Sequence, residues 1–127
     1  MRIGLAFDLK EAVKGSISSE GQPEDALEEY DSNETGRAIA GAIEEQGHST
    51  FLLDGGRGFL RNVQQENVDL VFNIAEGLGN YRGREAQIPG VLEMLNIPYT
   101  GSDPLAMAVS LDKAVTKRLI AAAGLYT

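Results

Sequence analysis

The chain contains no cysteine. That absence excludes disulfides, thiolate metal sites and a cysteine nucleophile together, and it fits a reducing compartment. Histidine is nearly absent too, with only His48. With no second histidine or cysteine near it, a metal centre is not expected in this chain, and His48 reads as a surface residue that opens a strand. Ser16, Ser18 and Ser19 likewise have no histidine close by in sequence to activate a nucleophilic serine. No apolar run approaches the roughly 20 residues needed to span a bilayer. The opening MRIGLAFDLKEA has one arginine and a short apolar run broken by Asp8, and no leader cleavage site follows. Positive charge is scarce: 11 Lys and Arg against 19 Asp and Glu leave a net charge of −8. Non-specific nucleic-acid binding needs cations to neutralise phosphates, so it is not expected. A cytoplasmic protein without membrane or nucleic-acid partners is the simplest expectation.

What remains is ordinary globular material. The 127 residues, 43% hydrophobic and 24% charged, suit one domain. A chain of this length buries roughly two-thirds of its unfolded surface and needs no covalent staples. RIGLAF reads as a buried strand ended by Asp8. Residues 8–30 form a long polar segment with Gly15, Gly21 and Pro23, a length that in a compact domain is functional or disordered. Asp31 and Ser32 are helix-start residues; Ile39, Ala42 and Ile43 then recur at helical spacing up to Gly47. HSTFLLD is a second strand closed by the turn signal DGGRG, Phe59–Glu66 a short helix, and VDLVFNI the third and most apolar strand. Ile88, Val91, Leu92 and Leu95 mark an amphipathic helix with Pro89 near its start. IPYTGS reads as a short fourth strand. Ser102 is placed to cap the next helix, and Ser110 or Asp112 the last one. Strands alternating with helices imply an α/β fold: a three-layer, Rossmann-like domain with a mostly parallel sheet of about four strands. Ligands in such folds lie at the carboxyl ends of the strands. The final GLYT opens an extended segment and stops, so the natural chain is expected to continue past Thr127.

The stretch FNIAEGLGNYRGREAQ lies between the third strand and its helix, a place where backbone N–H groups can bind anions. Its glycines run G-x-G-x-x-x-G, which is not the dinucleotide fingerprint, and no G-x-x-x-x-G-K-[ST] occurs in the chain. A tight turn accounts for Gly77 and Gly79, but not for Glu76, Arg82, Arg84 and Glu85 gathered at a strand's carboxyl end, which read as a solvated cluster or as one side of a ligand cleft. Asp8 and Asp54 each follow a strand, yet they lack the paired acids and strand positions of a phosphoacceptor pocket. Glu24, Asp25, Glu28 and Glu29 read as a solvated face. Lys113, Lys117 and Arg118 cluster at the start of the last helix, read either as a solvated basic face or as a site. Leu105, Met107 and Val109 form an apolar face that could pack on another domain or on a second copy in a homodimer.

From VDLVFNIAEG through GVLEMLNIPYTGS, AMAVSLDK and TKRLIAAAGLYT, the order and spacing of motifs resemble the N-terminal part of the D-alanine–D-alanine ligase family of ATP-grasp enzymes. The resemblance runs from about Val68 to the C-terminus; the first strand and helix agree in pattern only. It implies that residues 1–127 are the N-terminal pre-ATP-grasp domain of a carboxylate–amine ligase whose central and C-terminal domains are absent here. Such enzymes use ATP and Mg²⁺ to convert a carboxylate into an acyl phosphate that an amine attacks. Lys113 in SLDK matches a lysine that reaches the nucleotide phosphates, where a cation stabilises developing charge. Asp8 and the Glu76–Gly77 loop match regions that border an amino-acid or small-carboxylate substrate. Two departures point to a different first-substrate pocket from that of D-alanine ligases. DLKEAVKGSISSEG does not reproduce their Gly-rich serine/glutamate motif, and Glu76–Gly77 stands where they have His-Gly. The isolated 127 residues are expected to be inactive. The rival reading is a stand-alone, non-enzymatic α/β domain that binds a small ligand or serves regulation.

Overall fold

A computed structural model describes residues 1–8 and 33–126. Residues 9–30 of the long polar segment, with its serines and acidic run, lie outside the described residues, as do the helix-start residues Asp31 and Ser32 and the terminal Thr127. The described elements run β1 (Arg2–Ala6), α1 (Asn33–Glu45), β2 (Ser49–Leu52), α2 (Phe59–Gln65) and β3 (Leu70–Asn73). A 3₁₀ turn (Arg84–Ala86) then leads into α3 (Gln87–Met94), followed by α4 (Pro104–Leu111) and α5 (Lys113–Ala122). The strands form one parallel sheet in the order β2-β1-β3, with Gly4 paired to Phe51 on one side and Val71 on the other.

The sheet is covered on both faces, as a parallel sheet with crossover helices requires. Ala6 and Val71 face a cluster completed by Leu53, by Phe59 and Val63 of α2, and by Ile88 and Leu92 of α3. Gly4 lies on this face, where an added Cβ would stand 2.4 Å from the Leu53 side chain. Ile3, Leu5 and Phe7 alternate to the other face and are also buried. There the Phe7 ring occupies the position a Cβ of Gly36 would take, 2.3 Å from its Cζ, which seats the first turn of α1 against the end of β1. The α/β expectation with helices on both faces therefore holds.

Two local expectations change. The fourth strand shrinks to a single parallel bridge between Val71 and Tyr99. Val71 donates to the Pro98 carbonyl at 2.8 Å and accepts from Thr100 N–H at 2.9 Å, and the ladder stops there. Pro98 has no N–H to extend it, and Gly101 leaves the extended region with φ +100°. The cap of α4 is Asp103 rather than Ser102: its Oδ1 accepts from Ala106 N–H at 2.8 Å, and Pro104 takes the first helical position. Asp112 caps α5, as one of the two expected alternatives. Among the described residues, no helix is long and apolar enough to cross a membrane.

Candidate functional site

The carboxyl ends of β1 and β3 meet at Asp8. β1 carries the chain through Phe7 to this carboxylate, which is only 3% exposed. Its Oδ2 accepts from the backbone N–H of Glu76 at 2.5 Å and from that of Gly77 at 3.2 Å. A buried carboxylate is tolerated where donors of this kind surround it. Gly55 makes room for it, since a Cβ there would lie 2.4 Å from Asp8 Oδ1. Gly77 is constrained more tightly. Its φ is +80°, and a Cβ would stand 2.1 Å from the Arg84 carbonyl oxygen. Asp8, Glu76 and Gly77, singled out separately in the sequence, are thus brought into one hydrogen-bonded unit.

Further anchors hold the loop that starts there. Asn73 ends β3 by accepting from Ala75 N–H through its Oδ1 at 3.2 Å, while its own N–H donates to Thr100 Oγ1 at 3.0 Å. The Gln87 side-chain amide brackets Leu78, accepting from its N–H at 2.8 Å and donating to its carbonyl at 3.2 Å. Arg84 pairs with Glu76 at 3.7 Å across the turn. Arg82 reaches the Asp112 carboxylate with Nε at 2.8 Å and forms a second, shorter contact through its terminal nitrogen. Asp112 also accepts from Ala114 and Val115 N–H as the cap of α5. The Val115 hydrogen bond and then the Arg82 pairing hold its carboxyl below the ordinary value of 3.8.

Beside this loop lies a cleft of about 460 Å³. Thr35 and Ile39 of α1 and Met107 of α4 form walls, and the end of β3 with Ile74, Ala75 and Glu76 forms the floor; Glu85 also lines it. Aliphatic side chains beside two carboxylates, one of them paired with Arg84, suit a small ligand with an apolar part and a hydrogen-bond-donating nitrogen. Lys113 does not line the cleft. It is exposed in the first turn of α5, next to the Asp112 cap that holds the loop. Lys117 and Arg118 on the same helix are exposed as well. Among the described residues, no three His, Cys, Asp or Glu gather in a way that could hold a metal ion. Asp54 is taken up by its own turn, accepting from Gly55 and Gly56 N–H at 2.8 and 3.1 Å. His48 lies at the opposite, amino-terminal edge of the sheet, 3.3 Å from the Met1 amino group.

Sequence reasoning missed Gln87 and Thr100 as loop anchors and read Asp112 only as a cap. Gln87 carried no distinguishing signal; the Arg82 and Asp112 charges did, but they are 30 residues apart.

No family model matches the chain. A D-alanine–D-alanine ligase of Aquifex aeolicus is 41% identical over 73% of the chain. The chain is a homologue of the D-alanine–D-alanine ligases. It spans 31% of the Aquifex ligase, and the match is consistent with an N-terminal ligase domain. An uncharacterized protein of Sinorhizobium fredii, y4sG, is 32% identical over the full chain, which covers 40% of that protein. Among solved structures, the D-alanine–D-alanine ligase of Bacillus anthracis matches the full chain with a TM-score of 0.65, over 36% of its own length. At 19% identity that likeness speaks for the ligase-type fold alone.

Proposed function

We propose that this chain is the N-terminal, substrate-side domain of an ATP-dependent carboxylate–amine ligase related to the D-alanine–D-alanine ligases, with its nucleotide-binding domains outside these 127 residues. The observation that carries the reading is the Asp8-anchored Glu76–Gly77 loop, set beside a cleft at the carboxyl edge of a parallel sheet. The homologous ligases support it, as does the position of Lys113 beside the same loop.

In this reading the substrate carboxylate attacks the terminal phosphorus of ATP and ADP leaves. The amine of the second substrate then attacks the acyl carbon, phosphate departs, and the nitrogen loses a proton. Asp8 acts through the loop, fixing the backbone of Glu76 and Gly77, while Glu76 faces the first amino acid. Lys113 offsets charge on the phosphates. Mg²⁺ would supply further charge neutralisation there, held by residues outside these 127, since among the described residues no group could hold a metal ion. Glu76 in place of a histidine alters the charge of the rim, so an amino compound other than D-alanine is the expected first substrate.

The test is ATP-dependent phosphate release by the full-length protein across a panel of D- and L-amino acids and small carboxylates. Release that depends on one of them, with Glu76→Gln raising the KM for that compound more than the KM for ATP, is the expected result. If no compound elicits release, the ligase reading fails and a non-enzymatic binding or regulatory domain takes its place. A Glu76→Gln effect on ATP alone would remove Glu76 from the substrate pocket. The isolated 127 residues are expected to release no phosphate.

A further inference from the structure

Asp112 makes two kinds of contact at once. As the N-cap of α5 it accepts from two backbone N–H groups, and it also accepts a two-pronged contact from Arg82 in the loop that follows Glu76. Its side chain is 15% exposed, whereas that of Arg82 is 82% exposed, so a well-fixed carboxylate holds a long and otherwise solvent-facing arginine. Gly83 next to it packs on Ala108 of α4, with a Cβ position 3.6 Å from the Ala108 methyl. The loop is therefore pinned at three points by three different elements: Asp8 at its start, Gln87 at Leu78, and Asp112 at Arg82. Asp8 and Gln87 tie it to the sheet and to α3. Asp112 ties it to the helix that begins with Lys113.

We propose that Arg82 and Asp112 form a strap that keeps the Glu76 rim in register with Lys113, making both of them positioning residues. The inference rests on the ligase reading of Glu76 and Lys113. An ion pair whose arginine is largely exposed contributes little to stability, so a role in holding two functional elements in register accounts better for this geometry than a role in holding the fold. Both Arg82 nitrogens converge on Asp112 Oδ2 while Oδ1 accepts the two cap N–H groups, so one carboxylate serves the loop and the helix at once.

The test uses the full-length protein with Arg82→Ala, Asp112→Asn, the double variant and Arg82→Lys. Asparagine caps a helix about as well as aspartate, so Asp112→Asn weakens the strap while keeping α5. Hydrogen exchange of the 78–83 amides is expected to speed up several-fold in Asp112→Asn as well as in Arg82→Ala. In kinetics, each single variant is expected to lose roughly five- to tenfold in kcat with KM values within about twofold, the signature of a lost transition-state register. The double variant should be no worse than the poorer single one, and Arg82→Lys should recover part of the loss. Unchanged loop exchange in Asp112→Asn would overturn the strap. Losses that multiply in the double variant, or faster exchange with unaltered kcat, would overturn its role in positioning. If the parent protein releases no phosphate with any substrate, the ligase reading fails, and the positioning role with it. Loop exchange then still decides whether the strap itself exists.

Discussion

Replacing Gly77 by alanine is expected to unsettle the loop far more than the same change at Gly79, although both glycines have left-handed backbones. At Gly79 φ is +71°, and an added methyl would meet only the edge of the Tyr81 ring at 3.1 Å. That ring is 71% exposed and can turn aside. Gly79→Ala thus carries only the left-handed penalty, about 1–2 kcal/mol. At Gly77 φ is +80°, and the methyl would lie 2.1 Å from the Arg84 carbonyl oxygen and 2.6 Å from its carbon. Carbon and oxygen ordinarily approach to about 3.3 Å, so one backbone segment would have to move by roughly 1 Å. The displaced segment carries the Glu76 and Gly77 N–H groups away from Asp8. Hydrogen bonds to a charged group contribute about 1.5–3 kcal/mol each, and weakening the pair adds roughly 2–3 kcal/mol to the backbone term. The expected destabilisation is about 3–5 kcal/mol for Gly77→Ala. With a urea slope of about 1–3 kcal/mol per molar, the two variants should differ in midpoint by about 1 M, read by far-UV circular dichroism. Coincident midpoints would refute the steric reasoning and leave the φ penalty as the whole effect.

Asp8→Asn keeps an acceptor oxygen but not its charge, and should destabilise by about 1–3 kcal/mol, since charge-assisted hydrogen bonds are roughly twice as strong as neutral ones; an unchanged melting temperature would show that the charge is immaterial. Asp112 has its folded-state pKa lowered, first by the Val115 N–H and then by Arg82, so its contribution is full above the unfolded value and fades as pH falls below it. The stability gap between parent and Asp112→Asn should accordingly be flat at neutral pH and close below about pH 4; a gap that widened in acid would contradict the sign. Gly41 lies inside α1 with nothing within 4 Å of a Cβ position, and Gly41→Ala should stabilise by about 0.5–1 kcal/mol in urea unfolding. Lys113 is exposed, so Lys113→Ala in the full-length protein should raise the ATP KM or lower kcat at an unchanged melting temperature; unaltered kinetics would remove it from the site.

Most of the architecture was legible because strand and helix periods differ. The VDLVFNI run and the spacing of Ile88, Leu92 and Leu95 are consequences of burial in β3 and α3, and burial leaves its mark on composition. The misjudged pieces are local. IPYTGS has the composition of a strand, but a proline without an N–H and a glycine at positive φ reduce it to one bridge at Tyr99. Ser102 and Asp103 are both good caps, and the pairing of Asp103 with Pro104 at the first helical position decided between them. The family resemblance read from the motifs began at Val68, whereas the related ligases align over about 73% of the chain.

The candidate site was legible in its members but not in their connections. Glu76, Gly77 and Asp8 stood out as charged or glycine residues at strand ends, which is where such folds keep ligands. What no spacing rule could supply is the division of labour among the carboxylates. Asp8 and Asp112 both accept backbone N–H groups, and both fasten the same loop from opposite ends. Glu76 and Glu85 instead line the cleft. A carboxylate engaged by backbone donors is fixed in place, which suits it to define geometry; one that lines a cleft can exchange partners with a ligand. In sequence the four differ only by one methylene. The separation follows from the parallel sheet: it brings the end of β1 under the loop that leaves β3, so that a residue 68 positions away becomes the anchor of Glu76.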